Sequence, residues 1–307
     1  MPRSSTVPRR AVLYAAAILS AAFAALCWSL RKAAPPAVPA AKPENGAYSA
    51  SAGAEGESDR RILPVLMYHS VCADPLSPSE YVLSPDALRQ DLAFLKERGY
   101  QTVFLSDVLA FAGGGGDLPE KPVAITFDDG YLNNLTEALP LLREYGAVAE
   151  ISVGGAFADA AETESYRSPR YSYLRWSEVR ELLASGCFEL GSHTYDMHAL
   201  SPREGLSRMP GESQAAYETA LRADDGRLRA ALLREKIGDT VICAYPYGAG
   251  GKDARGVLSD LGYTVFLSCG EHVNRIQKNA PLPELGRFHR AARYTTAEFM
   301  ARALGEP

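Results

Sequence analysis

The stretch Val123-Ala-Ile-Thr-Phe-Asp-Asp-Gly130 decides how this chain is read. Pro122 marks its entry, and Val123 to Phe127 make the short apolar run of a strand covered on both faces. Gly130 permits a tight turn into the helical pattern that follows. Successive strand side chains point to opposite faces, but at a strand's C-terminal tip the turn can aim both Asp128 and Asp129 at one site. Two carboxylates so placed repel each other unless a metal or a proton neutralises one. The pair therefore points to a division of labour, one Asp binding metal and the other accepting a proton. The plainer alternative is a strand-to-helix turn in which one Asp caps the helix.

Outward from this stretch, strands and helices alternate. Leu63 to Tyr68 reads as a strand with His69 at its tip. Ser84-Pro85-Asp86 is a helix start, with Leu88, Leu92 and Leu95 as its apolar face and Gly99 as its end. Thr102 to Leu105 reads as a second strand, Leu135 to Tyr145 as a helix stopped by Gly146, and Val148 to Val153 as a strand. Residues 154 to 172 read as a long loop. A helix from about Ser177, a strand Phe188 to Gly191, a long helix Glu212 to Lys236 and a strand Val241 to Tyr245 come next. Another helix, the strands Thr264 to Leu267 and Leu285 to His289, and a helix Thr295 to Leu304 complete the pattern. About seven strand–helix alternations indicate a parallel sheet with crossover helices. No glycine-rich phosphate loop is present, so a closed or nearly closed barrel fits better than a nucleotide-binding open sheet. In such barrels chemistry sits at the strands' C-terminal ends, where His69, Asp128, Asp129, His193 and Tyr247 all fall.

The chain has 307 residues, 47% of them hydrophobic and 22% charged, a composition able to bury a core. A net charge of -5 gives no support for nucleic-acid binding. Its five cysteines (Cys27, Cys72, Cys187, Cys243 and Cys269) show no CxxC spacing, which argues against a structural zinc site and leaves their pairing open. Ala11 to Leu30 carries no charge and is long enough to cross a bilayer of roughly 30 Å. Arg3, Arg9 and Arg10 precede it and Arg31-Lys32 follow, so residues 1–32 read as a membrane anchor with a cytoplasmic N-terminus, or as a signal segment if cleaved near Val38-Pro-Ala40. Residues 33–60, rich in Ala, Pro, Ser and Gly, form a linker, and 61–307 the working domain on the extracytoplasmic side.

Gly191-Ser-His-Thr-Tyr-Asp-Met-His198 sets two histidines five apart after a strand. On a helix they would face apart, so they converge only if the segment is a loop. Two imidazoles and one carboxylate make the three-ligand set of a catalytic metal, which would acidify a water and polarise a carbonyl. A neighbouring carboxylate could then take the water's proton.

Thr126-Phe-Asp-Asp-Gly130, Ser192-His-Thr-Tyr-Asp-Met-His198 and Tyr245-Pro-Tyr-Gly248 stand in the order found in polysaccharide deacetylases. Pro64 to His69 and Leu174-Arg-Trp-Ser177 also resemble segments of that family, over roughly residues 62 to 304. The resemblance implies a distorted (β/α)7 barrel and metal-dependent removal of acetyl groups from a polysaccharide. It implies Asp129, His193 and His198 as ligands of a divalent ion, preferably Zn2+. Asp128 would be the general base, and the backbone N–H of Tyr247 an oxyanion donor. The expected substrate is an N-acetylglucosamine-containing polymer of the cell envelope or extracellular space. The alternatives are a non-catalytic carbohydrate-binding relative and a deacetylase of another substrate such as acetyl-xylan. No protein partner is inferred.

The five-residue histidine spacing matches bacterial poly-N-acetylglucosamine deacetylases, whereas many family members use four. Many also carry, where this chain has Ala244, an Arg that pairs with an Asp to tune the base, and that tuning pair is expected to be absent here. For the general acid, the five-spaced relatives point to His69, with His289 in Gly286-Arg-Phe-His289 as the runner-up. Trp176 and Tyr247 are candidates for the wall of a sugar groove or, for Trp176 especially, for the core.

Overall fold

A computed structural model describes residues 59–73 and 79–305. The expected membrane helix Ala11 to Leu30, and the linker as far as residue 58, lie outside the described residues. Among the described residues no helix is long and apolar enough to cross a membrane.

Among these residues, seven strands lie on one path. They are β1 (Val65–Tyr68), β2 (Pro122–Phe127), β3 (Ala149–Val153), β4 (Phe188–Ser192), β5 (Ile242–Ala244), β6 (Val265–Leu267) and β7 (Phe288–His289). Their order is β6-β5-β4-β3-β2-β1-β7, and every neighbouring pair is parallel. Parallel pairing puts all the C-terminal tips on one edge. Just before β7, Leu285 bridges Leu267 of β6, its N–H donating to the Phe266 carbonyl at 2.8 Å. The segment from Leu285 to His289 thus bonds to β6 on one side and β1 on the other. The sheet is curled, consistent with a (β/α) barrel.

The helices are α1 (Pro85–Glu97), α2 (Leu105–Ala112), α3 (Leu139–Tyr145), α4 (Gly155–Ala161), α5 (Trp176–Ala184), α6 (Gln214–Arg234), α7 (Gly251–Asp260) and α8 (Thr296–Leu304). Every residue of β1, β2 and β3 is buried, as strands covered on both faces require. Their period-two alternation sorts two cores. Val123, Ile125 and Phe127 pack outward with Leu88, Leu92 and Leu95 of α1, each such leucine contributing about 1.5–3 kcal/mol by leaving water. Val65 and Ala124 pack with Ala244, Val265, Leu267 and α2 instead. On the same alternation as Ala124, Thr126 and Asp128 turn inward.

Local signals account for several ends. The Ser84 hydroxyl accepts the Ala87 N–H at 3.2 Å to cap α1. Gly146 ends α3 in the left-handed region at φ 64. Four segments depart from expectation. The strand at Thr102 is only Gln101–Thr102, because the Glu189 carboxylate of β4 accepts the N–H groups of Leu105 and Ser106 and starts α2 there. The helix expected from Leu135 begins as a π-turn at Asn134–Ala138. The loop 154 to 172 contains α4, whose first amides donate to the carbonyls of Thr194 and Tyr195. Arg60, assigned to the linker, already belongs to a strand (Arg60–Leu63) paired antiparallel with Asn274–Gln277. Cys72, Cys187, Cys243 and Cys269 are free thiols.

Candidate active site

Asp128 leaves β2 with its N–H donated to the Tyr68 carbonyl of β1 at 3.0 Å. Asp129 and Gly130 then both adopt φ 72, and two consecutive left-handed residues swing the Asp129 side chain back over the strand tip. The turn is held from outside, since Leu132 N–H donates to Ser172 O at 2.7 Å and Leu174 N–H to Gly130 O at 2.8 Å. Two more non-glycine residues of this face, Thr194 at φ 69 and Tyr247 at φ 59, share that costly conformation. Such residues cluster where tertiary structure imposes a functional geometry.

Asp129 Oδ1 lies 3.2 Å from His198 Nε2 and 3.5 Å from His193 Nε2. The three ligand atoms fall within 4.8 Å of one another. His193 Nδ1 is 2.9 Å from the Ala244 carbonyl, which can only accept, so the proton sits on Nδ1 and the Nε2 lone pair faces Asp129. His198 Nδ1 meets the Tyr247 hydroxyl at 3.1 Å, which leaves its Nε2 turned to the same point. Both imidazoles are thus oriented through their far nitrogens, as ligand histidines are. Two Nε2 atoms and one carboxylate oxygen fit a divalent ion of the zinc type. Burial pushes the Asp129 carboxyl up, but the His198 hydrogen bond and the nearby imidazoles outweigh it and hold it low. Burial likewise lowers His193, whereas in His198 the Asp129 hydrogen bond overcomes burial and raises it.

The expectation that Asp128 lacks an Arg partner is corrected. Arg287 grips Asp128 with two hydrogen bonds, and both side chains are buried. The Arg comes from the approach to β7, whereas Ala244 packs in the core. Burial pushes the Asp128 carboxyl up, but the Arg287 charge, with His193, outweighs it and holds the group well below the usual carboxylate range. The available signal was an arginine two residues before His289 in a strand pattern, hence on the same face.

His69 follows β1, its Nε2 3.9 Å from Asp128 Oδ2 and its Nδ1 buried without a hydrogen-bond partner. Burial pushes its pKa down to about 4 against the pull of Asp128 and Asp129. Its ring meets Tyr81 and His289 edge-on, with centroids 4.9 and 5.4 Å away. His289 is therefore at the site and not a detached surface residue. Sequence reading also missed Asn133 and Asn134. Asn134 Nδ2 donates to the His69 carbonyl at 2.8 Å, and Asn133 Oδ1 accepts the Val71 N–H at 2.9 Å. Together they fix the segment that carries His69. Trp176 is fully buried and bonds Asp159 at 2.7 Å, so it belongs to the core. Tyr247 is 42% exposed beside the ligand cluster.

Parallel strands whose tips gather two carboxylates and three imidazoles around one point define a hydrolase site. Residues 115–266 match the polysaccharide deacetylase family, and the chain carries a polysaccharide deacetylase domain. Over 223 residues it is 29% identical to the poly-beta-1,6-N-acetyl-D-glucosamine N-deacetylase of Escherichia coli, covering 66% of this chain and 33% of that protein. The chain thus spans about a third of the length of that relative. A de-N-acetylase from Aggregatibacter actinomycetemcomitans superimposes with a TM-score of 0.66 at 25% identity, covering 80% of this chain and 100% of the other. IcaB from Ammonifex degensii superimposes with a TM-score of 0.60 at 27% identity, covering 74% and 91%.

Proposed function

We propose that this chain hydrolyses acetamido groups of an N-acetylglucosamine-containing polysaccharide in the cell envelope or outside the cell. The observation that carries this reading is the convergence of Asp129, His193 and His198 within 4.8 Å, beside an Asp128 gripped by Arg287. The substrate class is supported by the relatives named for poly-N-acetylglucosamine. In this reading the curled sheet is a distorted seven-stranded (β/α) barrel within a domain of residues 61–307. Ala11 to Leu30 would hold that domain to the outer face of a membrane.

Asp129, His193 and His198 would hold a divalent ion, which when bound supplies Lewis acidity to the acetyl carbonyl and to water. Asp128, kept ionised by Arg287, is the general base. Its Oδ2 lies just beyond hydrogen-bond reach of His69 Nε2, at 3.9 Å. An imidazole holds a proton more firmly than a carboxyl clamped by Arg287, so a proton taken up at Asp128 passes on to His69 through one bridging water. Burial keeps His69 neutral beforehand, and it becomes charged during turnover. It then donates to the leaving nitrogen, which cannot depart as an amide anion. The Tyr247 backbone N–H is the proposed oxyanion donor.

The test is acetate release by the full chain from poly-N-acetylglucosamine, peptidoglycan, chitin oligomers and acetyl-xylan. Release from one of the first three supports the reading. Release from acetyl-xylan alone makes the domain an O-deacetylase, and release from none makes it a binding module. For the anchor, the full chain should sediment with membranes and resist high-salt extraction, whereas recovery only as a shortened soluble form would replace the anchor with a cleaved signal.

A further inference from the structure

The two histidines of the candidate metal site are separated by Thr194, Tyr195, Asp196 and Met197, and none of these four amides has a ladder partner. Their hydrogen bonds go to side chains instead. Thr194 N–H donates to Ser192 Oγ at 3.1 Å and Met197 N–H to Thr194 Oγ1 at 3.1 Å. The two middle amides leave the loop altogether. Tyr195 N–H donates to Asp224 Oδ2 at 2.7 Å and Asp196 N–H to Asp224 Oδ1 at 2.9 Å. Asp224 is a buried residue of α6, so one carboxylate on a rigid helix supplies half of this loop's amide acceptors.

The rest of the loop is clasped around that contact. Gly155 and Ala156 of α4 donate to the carbonyls of Thr194 and Tyr195 at 3.1 and 2.7 Å. Arg227, one turn along α6 from Asp224, sits 4.0 Å above the Tyr195 ring, whose hydroxyl donates to Asp159 at 2.6 Å. Histidines four apart can share one face of a helix and need no such support. Histidines five apart converge only through a compressed loop, here with Thr194 at φ 69, and a chain left free would relax out of it.

We infer that Asp224 is a positioning residue of the metal site, holding His193 and His198 in ligating geometry through the amides of Tyr195 and Asp196. The inference rests on the reading of Asp129, His193 and His198 as metal ligands. Asp224 touches neither metal nor substrate in this role. Its effect is to order the loop before an ion arrives, so that binding does not bear the cost of ordering it.

Metal affinity separates this role from a general contribution to folding. The neighbouring Asp225 is also buried on α6, but it bonds Tyr263 Oη and Arg229 Nε, both at 2.8 Å, on the helix's other contacts. It is the matched control. The metal-free full chain and its Asp224→Ala, Asp224→Asn and Asp225→Ala variants would be titrated with Zn2+ against a competing chelator, with the melting temperature of each metal-free form recorded. Asp224→Ala should weaken Zn2+ binding by about 10–100-fold, as loss of a supporting contact behind metal ligands does. Asp224→Asn keeps one acceptor oxygen and should weaken it less. Asp225→Ala should lower the melting temperature yet leave Kd within about twofold. An Asp224→Ala Kd within about twofold of the parent overturns the inference, as does equal weakening by Asp225→Ala. If Asp224→Ala does not fold, an unchanged Kd in Asp224→Asn overturns it. A parent chain that binds no Zn2+ overturns the metal reading and this inference together. A parent that binds, with unchanged affinity in the Asp224 variants, overturns this inference alone.

Discussion

Arg287 holds Asp128 in a two-pronged ion pair, Nη1 to Oδ1 at 2.6 Å and Nη2 to Oδ2 at 2.8 Å, across 159 positions of sequence. The same guanidinium donates through Nε to the Ser268 carbonyl at 3.0 Å, which fixes its plane. A lysine keeps the charge but cannot reproduce the planar fork. Arg287→Lys should therefore fold and retain metal while turnover falls by about tenfold or more. Arg287→Ala leaves a buried carboxylate uncompensated and should cost about 3–5 kcal/mol, seen as a large drop in melting temperature. Parental acetate release from Arg287→Lys would remove Arg287 from the mechanism.

The ligand cluster predicts a clean split among variants at the strand tips. Asp129→Ala, His193→Ala and His198→Ala should each lower bound metal and abolish acetate release while the domain stays folded. Asp128→Asn should keep its metal and lose turnover by a factor on the order of a hundred. Elemental analysis of the purified variants checks both halves, and full metal occupancy in all three ligand variants would sink the assignment.

The two edge-on histidines, His69 and His289, can be told apart by leaving group. An amide nitrogen must be protonated to depart, whereas an activated ester's alkoxide leaves unaided. His69→Ala should therefore abolish N-deacetylation yet leave measurable hydrolysis of an activated acetate ester. His289→Ala should keep most of both activities. If His289 proves essential and His69 dispensable, the acid is His289.

Buried His69 should make the metal-free chain lose stability on acidification. Burial lowers His69 from 6.5 to about 4, and burial also lowers His193 and His289. Between pH 6.5 and about 4 His69 then binds its proton in the unfolded chain but not in the folded one, so the stability it contributes is full above that window and is lost as pH falls through it. The depressed Asp128 adds a loss at still lower pH, whereas the raised His198 acts in the opposite sense. Glu150, Glu189, Asp91 and Asp224, whose carboxyls burial pushes up, act with His198, so the share of His69 is read as a difference between parent and variant. From pH 7 to 4 the parent should lose more melting temperature, or gain less, than His69→Gln. Identical profiles in parent and His69→Gln would contradict the buried, neutral state of His69.

Much of this architecture was legible locally. The apolar run Val123 to Phe127 marked a buried strand with Asp128 and Asp129 at its tip, Ser84 and Gly146 marked helix ends, and the five-residue spacing of His193 and His198 required a loop. Other features left no local trace. The start of α2 is set by Glu189, a residue of β4, and α4 is docked by its first amides onto the metal-ligand loop. Arg287 and Asp224 looked like an ordinary charge in a short strand and an ordinary acid on a polar helix.

The sequence by itself determined which residues stand at strand tips, because period-two burial and turn chemistry act over a few residues. It also determined the ligand types, since only certain side chains can hold a divalent ion. Tertiary structure alone decided which charge faces which. The curl of the sheet brings β7 beside β1 and carries Arg287 to Asp128, and the packing of α6 lays Asp224 under the amides of Tyr195 and Asp196. Periodicity tells a residue which face it occupies. Its partner on that face is chosen by how the layers close, a relation between segments distant in sequence.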